Sequence, residues 1–447
     1  MSKTVFILMK GVLKLAENKS SEKRNTNLPD WFKLDNAASV FPGQNTGTWS
    51  NIFRFCTELK EEIDPEILAK ALENIMPRFP GFDVRIRKGL FWYYFEKNPN
   101  IAPDVKPDIQ NPCHRVKFKE NKGYLFRVYY HGKRIAVDTY HAITDGHGAA
   151  VFSCSLVAEY LKLCGHTISA GGLVLDANQP PKKEELEDSF SKIANSKGKI
   201  KRSDKYVYHA KGTKLPKHMV NIISGTMSFS DIHKYTKEHG VTITEFFAAL
   251  LLQVHIEKQK KEAKKQKEVS VQVPIDLRSV YKTETLRNFT ICLRTKIDPQ
   301  LGDYSFEELL KQVAYQLRLA NDEKKLNAMV TANMALERNP VLKFLPLAVK
   351  DLGVGVSFLI TGEQTTTVLL SNIGAVKLPE DMLPFVEKVV FMPGPGVRNA
   401  VRCGLATVGD NLVFTIASIV KETDIEREIF TKLVKMGFHV KIESNRD

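Results

Sequence analysis

Between Leu125 and Leu163 three backbone signals follow one another without a spacer. Leu125–Tyr130 (LFRVYY) and Arg134–Tyr140 (RIAVDTY) are rich in β-branched and aromatic residues, and His131-Gly132-Lys133 between them predicts a hairpin. After Tyr140 a polar loop leads into an apolar run that predicts a helix from about Gly148 to Leu163. A strand that passes through a short loop into a helix restricts the chain to layered folds, α/β or α+β, in which helices cover sheets. It also sets the loop residues of Tyr140–Gly148 (YHAITDGHG) at the end of a strand, where side chains can face a cleft.

At 447 residues the chain exceeds the roughly 250–300 that one core covers, so two domains are expected. Asp64-Pro65 opens a helix at Glu66–Met76, whose Ile67, Leu68, Ala71, Leu72 and Ile75 recur at helical spacing, and Pro77 is expected to end it. Asp83–Arg87 and Leu90–Phe95 read as strands. From Ala170 to about Lys205 the chain turns rich in Gly, Pro, Lys and Glu, which reads as a linker. Beyond it come strands near Gly225–Phe229, Val269–Pro274, Thr366–Ser371, Glu387–Met392 and Leu412–Ser418. Helices are expected at Ser230–His239, Thr244–Glu257, Ser305–Leu319 and Glu422–Met436, and a turn at Pro393–Gly396. Both halves mix sheet and helix, which predicts two similar lobes with a site between them. The expected division is residues 1–175, a linker at 176–205, and residues 206–447.

The net charge is +14, and much of the excess is local, in His255–Lys267 and Ser196–Lys205. No aromatic residues interleave with these lysines as nucleic-acid stacking platforms would require, so no nucleic-acid partner is expected. The excess reads as solvated surface, or as attraction for an anionic partner such as a phosphate-bearing acyl carrier. Near the N-terminus, Val5–Met9 is apolar but interrupted by Lys10 and Lys14, far short of a span of about 20 residues. With no signal-peptide pattern, no integral membrane segment is expected and the chain reads as unexported. The six cysteines form no CxxC pair, which suits buried free thiols in a reducing cytoplasm.

The candidate chemistry lies in the loop. His141 is the side-chain type best suited to take a proton near neutral pH. Asp145 suits a helix N-cap, and Gly146 after it would let the loop turn and bring backbone close to a substrate. His141–Gly146 reads HxxxDG. Pro274–Arg278 (PIDLR), Arg287-Asn288-Phe289 and Ser371-Asn372-Ile373-Gly374 follow it in that order, each near a predicted strand. In these landmarks the chain resembles the superfamily of chloramphenicol acetyltransferase, peptide-synthetase condensation domains and plant acyl-CoA acyltransferases. Within it the chain is most similar to bacterial alcohol acetyltransferase-like proteins, over nearly its whole length.

The resemblance implies two chloramphenicol acetyltransferase-like lobes, each a mixed β-sheet with helices, and an active-site tunnel between them. It implies acyl transfer from a coenzyme A thioester or an acyl-carrier protein's phosphopantetheine arm to a small alcohol or amine, with no bound cofactor or metal. His141 would be the general base. Asp145 would point away from the substrate and pair with Arg278, tying the loop to the second lobe. Ser371 and Asn372 would be candidates to stabilise the oxyanion, and Asn288 could support the same cleft. Two departures stand out: the plant enzymes' DFGWG motif is absent, and Tyr140 replaces the first of two adjacent histidines, where it would reshape the acceptor pocket.

Other readings remain beside this one. Condensation chemistry would tether donor and acceptor to carriers and form an amide, while a non-catalytic relative would keep only the two-lobed shape. His141, Asp145 and His147 could also be read as metal ligands, although no further ligand with supporting acceptors lies nearby in sequence. His147 is read instead as lining the channel or capping the helix.

Overall fold

Each sheet of the protein draws its strands from distant parts of the chain. The computed structural model describes residues 30–45, 49–109, 111–195, 197, 206–358 and 363–446. The apolar stretch Val5–Met9 and the lysines of 198–205 lie outside them. The described residues from Trp31 onward belong to one compact unit.

A small sheet of β1 (Trp31–Lys33), β3 (Val84–Lys88) and β4 (Tyr93–Lys97) runs in the order β1-β4-β3. The strand expected at Leu90–Phe95 starts later, because the Gly89 N–H donates to Trp92 O and makes the preceding residues a turn. A five-stranded sheet contains β2 (Ile52–Leu59), β5 (Val105–Pro107), β6 (Phe126–His131) and β7 (Arg134–Tyr140). The β6–β7 hairpin closes where His131 pairs with Arg134, with Gly132 at φ 53°. That left-handed value is one glycine adopts at little cost.

Three helices belong to this half: α1 (Phe41–Gln44), α2 (Pro65–Ile75) and α3 (Gly146–Leu163). Asp64 caps α2, its side chain accepting from the N–H groups of Glu66 and Ile67. Pro77 does not stop the chain's coiling, which tightens into a 3-10 turn over Met76–Arg78. The helix α3 is buried on nearly every side, which explains why most of its residues are apolar or small.

The fifth strand of this sheet comes from the other half of the chain. Strand β12 (Val386–Met392) forms where expected, but pairs antiparallel with β2, Met392 opposite Arg54. Val386, Val389 and Phe391 thereby join the first hydrophobic core. A contiguous division at 176–205 thus leaves out one strand that covers an otherwise open sheet edge.

The second half builds a seven-stranded mixed sheet from β8 (Asn221–Ser228), β9 (Val269–Asp276), β10 (Thr290–Ile297), β11 (Val368–Ala375), β13 (Val401–Val408), β14 (Asn411–Ser418) and β15 (Lys441–Ser444). Their order is β10-β9-β11-β13-β14-β8-β15, with β11 parallel to both neighbours. Besides a short helix at Arg278–Tyr281, the helices here are α4 (Phe229–Glu238), α5 (Ile243–Glu262), α6 (Phe306–Ala320), α7 (Glu323–Arg338), α8 (Pro340–Phe344), α9 (Leu347–Ser357) and α10 (Asp424–Lys435). A capping box of Thr242 and Glu245 starts α5, whose apolar residues fill the second core.

The expected linker is docked where it is described. Glu185 is buried and pairs with both terminal nitrogens of Arg78 at 2.6 Å. Cys56, Cys113, Cys154 and Cys403 are buried as expected, whereas Cys164 and Cys292 are exposed; all six are free thiols. Among the described residues no single helix is long and apolar enough to cross a membrane.

Candidate active site

His141 follows the last residue of β7 and is held from three directions. Its N–H donates to Asn51 O at 2.8 Å, which fixes the backbone beside β2. The imidazole lies between Phe41 of α1 and Phe53 of β2, with ring centroids 5.0 and 4.9 Å away. Its Nδ1 is 2.9 Å from Asn288 Oδ1. The other end of that carboxamide, Nδ2, donates to Asp35 Oδ2 at 3.2 Å.

This chain of contacts selects a tautomer. With Asp35 ionised its oxygens only accept, so Asn288 must turn its NH2 toward them and its carbonyl toward the ring. Nδ1 then carries the proton and donates it, leaving Nε2 as the basic nitrogen. Burial pushes the Asp35 carboxyl up, and the nearby Arg287 charge and the Ala38 and Asn288 hydrogen bonds oppose that push. Arg287 Nε lies 3.5 Å from Asp35 Oδ2.

Asp145 is wholly buried and accepts from four donors. These are Gly148 N (3.2 Å), Phe289 N (2.8 Å), Arg278 Nη1 (2.9 Å) and Arg278 Nη2 (3.2 Å). The carboxylate is both the N-cap of α3 and one side of a two-armed ion pair. Burial alone would raise its pKa, but the Arg278 charge and hydrogen bonds outweigh that and hold it below the ordinary value. Arg278 also donates from Nε to Thr285 O (2.7 Å) and from Nη1 to Asp276 Oδ1 (2.9 Å). The ion pair ties the start of α3 to the segment that follows β9.

Gly146 does not have the left-handed backbone of a turn. Its requirement is space: a Cβ there would lie 2.5 Å from Ile373 Cδ1. Gly148 is tighter still, since a Cβ would meet Thr144 Oγ1 at 2.1 Å and Leu286 O at 2.2 Å. The loop and the first turn of α3 are therefore wedged against residues of the second half.

The remaining candidates divide. Tyr140, expected to shape the acceptor pocket, is wholly buried in the first core, its ring 5.7 Å from Phe118. Neighbouring residues at a strand end point to opposite sides, so placing His141 outward sends Tyr140 inward. Its hydroxyl has no hydrogen-bond partner among the described residues, and burial pushes its pKa far up. Asn372 uses both ends of its amide locally, Nδ2 donating to Thr244 Oγ1 (2.9 Å) and Oδ1 accepting from Gly374 N (2.7 Å). These bonds hold an irregularity in β11, where Gly374 takes φ 78°. Ser371 is half-buried, two residues before the Ile373 that reaches Gly146.

His147 turns toward Asp276, 3.9 Å away, and burial, aided by the Arg278 charge, lowers its pKa. No group of three His, Cys, Asp or Glu side chains suited to a metal ion occurs among the described residues. Asp35, Phe41 and Phe53 escaped the sequence reading. Asp35 meets Asn288 across 253 positions, and no local pattern announces such a contact.

The sequence matches no protein-family model and no curated protein. Solved structures do match in shape. Polyketide synthase associated protein 5 from Mycobacterium tuberculosis superposes with a TM-score of 0.59 at 17% identity, covering 91% of this chain and 97% of that one. F. sporotrichioides TRI101, solved with coenzyme A and T-2, gives 0.62 at 11% identity, covering 92% and 99%. The condensation domain of the monacolin K polyketide synthase MokA gives 0.55 at 13%, covering 92% and 97%. The chain thus has the two-lobed, mixed-sheet fold that these proteins share.

Proposed function

We propose that the protein is an acyltransferase in which His141 activates an acceptor hydroxyl for attack on a thioester, in the manner of the alcohol acetyltransferase-like proteins it resembles. The observation that carries this reading is the imidazole fixed through Nδ1 by Asn288, which leaves Nε2 basic at the seam of the two halves. Nε2 takes the acceptor's proton as its oxygen attacks the carbonyl carbon. The tetrahedral intermediate collapses by breaking the C–S bond, and the imidazolium returns the proton to the leaving thiolate. An ester and a free thiol result, with the base regenerated. The developing oxyanion needs a donor, worth roughly 3–4 kcal/mol. Ser371 is the preferred candidate, because the Asn372 amide is already engaged.

Asp145 and Arg278 act as positioning residues that hold the loop. The donor is a coenzyme A thioester or a carrier's phosphopantetheine arm, in line with the coenzyme A in the TRI101 structure and with the condensation domain of MokA. A thiol-release assay with a panel of acyl-CoA donors and alcohol or amine acceptors tests the proposal. Turnover that disappears in His141→Ala, with the fold intact, is the expected result. Equal turnover by His141→Ala would refute the role of the base, and activity only with loaded carriers would move the donor from coenzyme A to a protein.

A further inference from the structure

Helix α9 (Leu347–Ser357) buries Leu347 and half-buries its two charged residues, leaving a row of apolar side chains in solvent. Its charged residues turn inward: Lys350 Nζ donates to Phe91 O at 2.7 Å and Lys343 O at 3.0 Å. Asp351 accepts from the Tyr93 hydroxyl at 2.8 Å and lies 3.4 Å from Lys88 Nζ. The outward face carries Val349, Leu352 and Val356, with Leu352 70% exposed. The helix's one carboxylate therefore does not reach that face.

Neighbouring elements extend the apolar surface. On α8, Phe344 is 66% exposed, with its ring 6.3 Å from Phe91. The Leu347 N–H donates to Leu90 O, which brings the β3–β4 turn against α9; Leu90 is 73% exposed and Trp92 lies partly in solvent beside it. A contiguous exposed apolar surface of this kind marks an interaction site.

The charges around it indicate the occupant. Lys33 and Lys343 are exposed at its rim, Lys33 Nζ lying 5.9 Å from the Trp92 ring, and Lys88 beside them is paired with Asp351. Apolar and aromatic side chains ringed by lysines form the pattern of surfaces that lie in the headgroup region of an anionic bilayer. A second copy docked by two-fold symmetry would bring like basic rims together, which is unfavourable. We infer that this face, formed by α8, α9 and the β3–β4 turn, binds an anionic lipid membrane peripherally. The helix also packs on α1 at Gly43, where a Cβ would lie 3.2 Å from Val354, and α1 carries the Phe41 that contacts His141. A docked protein would hold His141 close to the bilayer.

The test is co-sedimentation of the full chain with phosphatidylcholine vesicles, with and without phosphatidylglycerol, at low and high salt. Binding that requires phosphatidylglycerol, weakens with salt and blue-shifts tryptophan emission is expected. Val349→Ser with Leu352→Ser, both on the solvent face, should weaken that binding by at least about tenfold, in line with the loss of two inserted apolar side chains. An unchanged melting temperature in the double variant would show that it still folds. His141→Ala should bind vesicles like the parent, which separates this inference from the acyltransferase reading. Absence of vesicle binding, or equal binding by the double variant, would overturn it. So would a concentration-dependent dimer that the double variant abolishes while vesicles go unbound.

Discussion

Asn288 bridges His141 and Asp35, its carbonyl 2.9 Å from the ring nitrogen and its amide nitrogen 3.2 Å from the carboxylate. While Asp35 is ionised, the bridge decides which imidazole nitrogen carries the proton. Asn288→Ala should lower kcat by about tenfold to a hundredfold, the scale of a misplaced catalytic group, with a smaller change in KM. Asn288→Asp would put a negative charge beside the ring and shift the acid limb of the pH–rate profile to higher pH. Steady-state kinetics across pH checks both; an Asn288→Ala enzyme with the parent's kcat would count against the bridge.

The Asp145–Arg278 pair is predicted to act on stability first. Arg278→Met leaves a buried carboxylate without its cation, a loss of about 3–5 kcal/mol measured by denaturant unfolding. Replacing both partners by apolar residues should cost less than the sum of the single changes.

The same pair carries a pH signature. The Asp145 carboxyl is held below its ordinary value of 3.8. Its contribution is therefore fully present above that value and is lost as pH falls through the lower folded one. Comparing parent and Asp145→Asn in acid unfolding should show the two curves converging at low pH.

Glu426 on α10 behaves in the opposite sense. Burial pushes its carboxyl from 4.5 to about 7, and neither carboxyl oxygen has a hydrogen-bond partner among the described residues. A raised acid favours folding below its unfolded pKa and loses that advantage as pH rises toward 7. Glu426→Gln should be more stable than the parent at pH above 7, by about 1–3 kcal/mol, and the difference should shrink in mild acid. Thermal melts at several pH values would show this.

Gly148→Ala tests how tightly the loop is wedged. In an open helix the change would gain up to about 1 kcal/mol. Here the added carbon meets backbone at 2.2 Å, so a net loss of about 1–3 kcal/mol is expected, read as a lower melting temperature.

The strand, loop and helix around His141 were legible because each rests on signals within a few residues. β-Branched and aromatic residues mark β7, the Gly132 turn closes the hairpin, and Asp145 caps α3. The order of the landmarks carried the two-lobed expectation, and the structure bears out that fold. Strand β12 was found by its composition, but nothing local says that it completes the sheet of the other half.

The chain's local pattern settled which segments are strands and helices and which loop holds the reactive residue types, because periodicity and capping act over a turn or two. Tertiary structure alone settled which groups meet: Asp145 with Arg278 across 133 positions, Asn288 with Asp35 across 253, and Tyr140 in the core instead of a cleft. It also decided that α9 turns Lys350 and Asp351 inward and Val349, Leu352 and Val356 out. Side-chain partners and exposed faces depend on packing between elements far apart in the chain, and a short-range pattern carries no record of that packing.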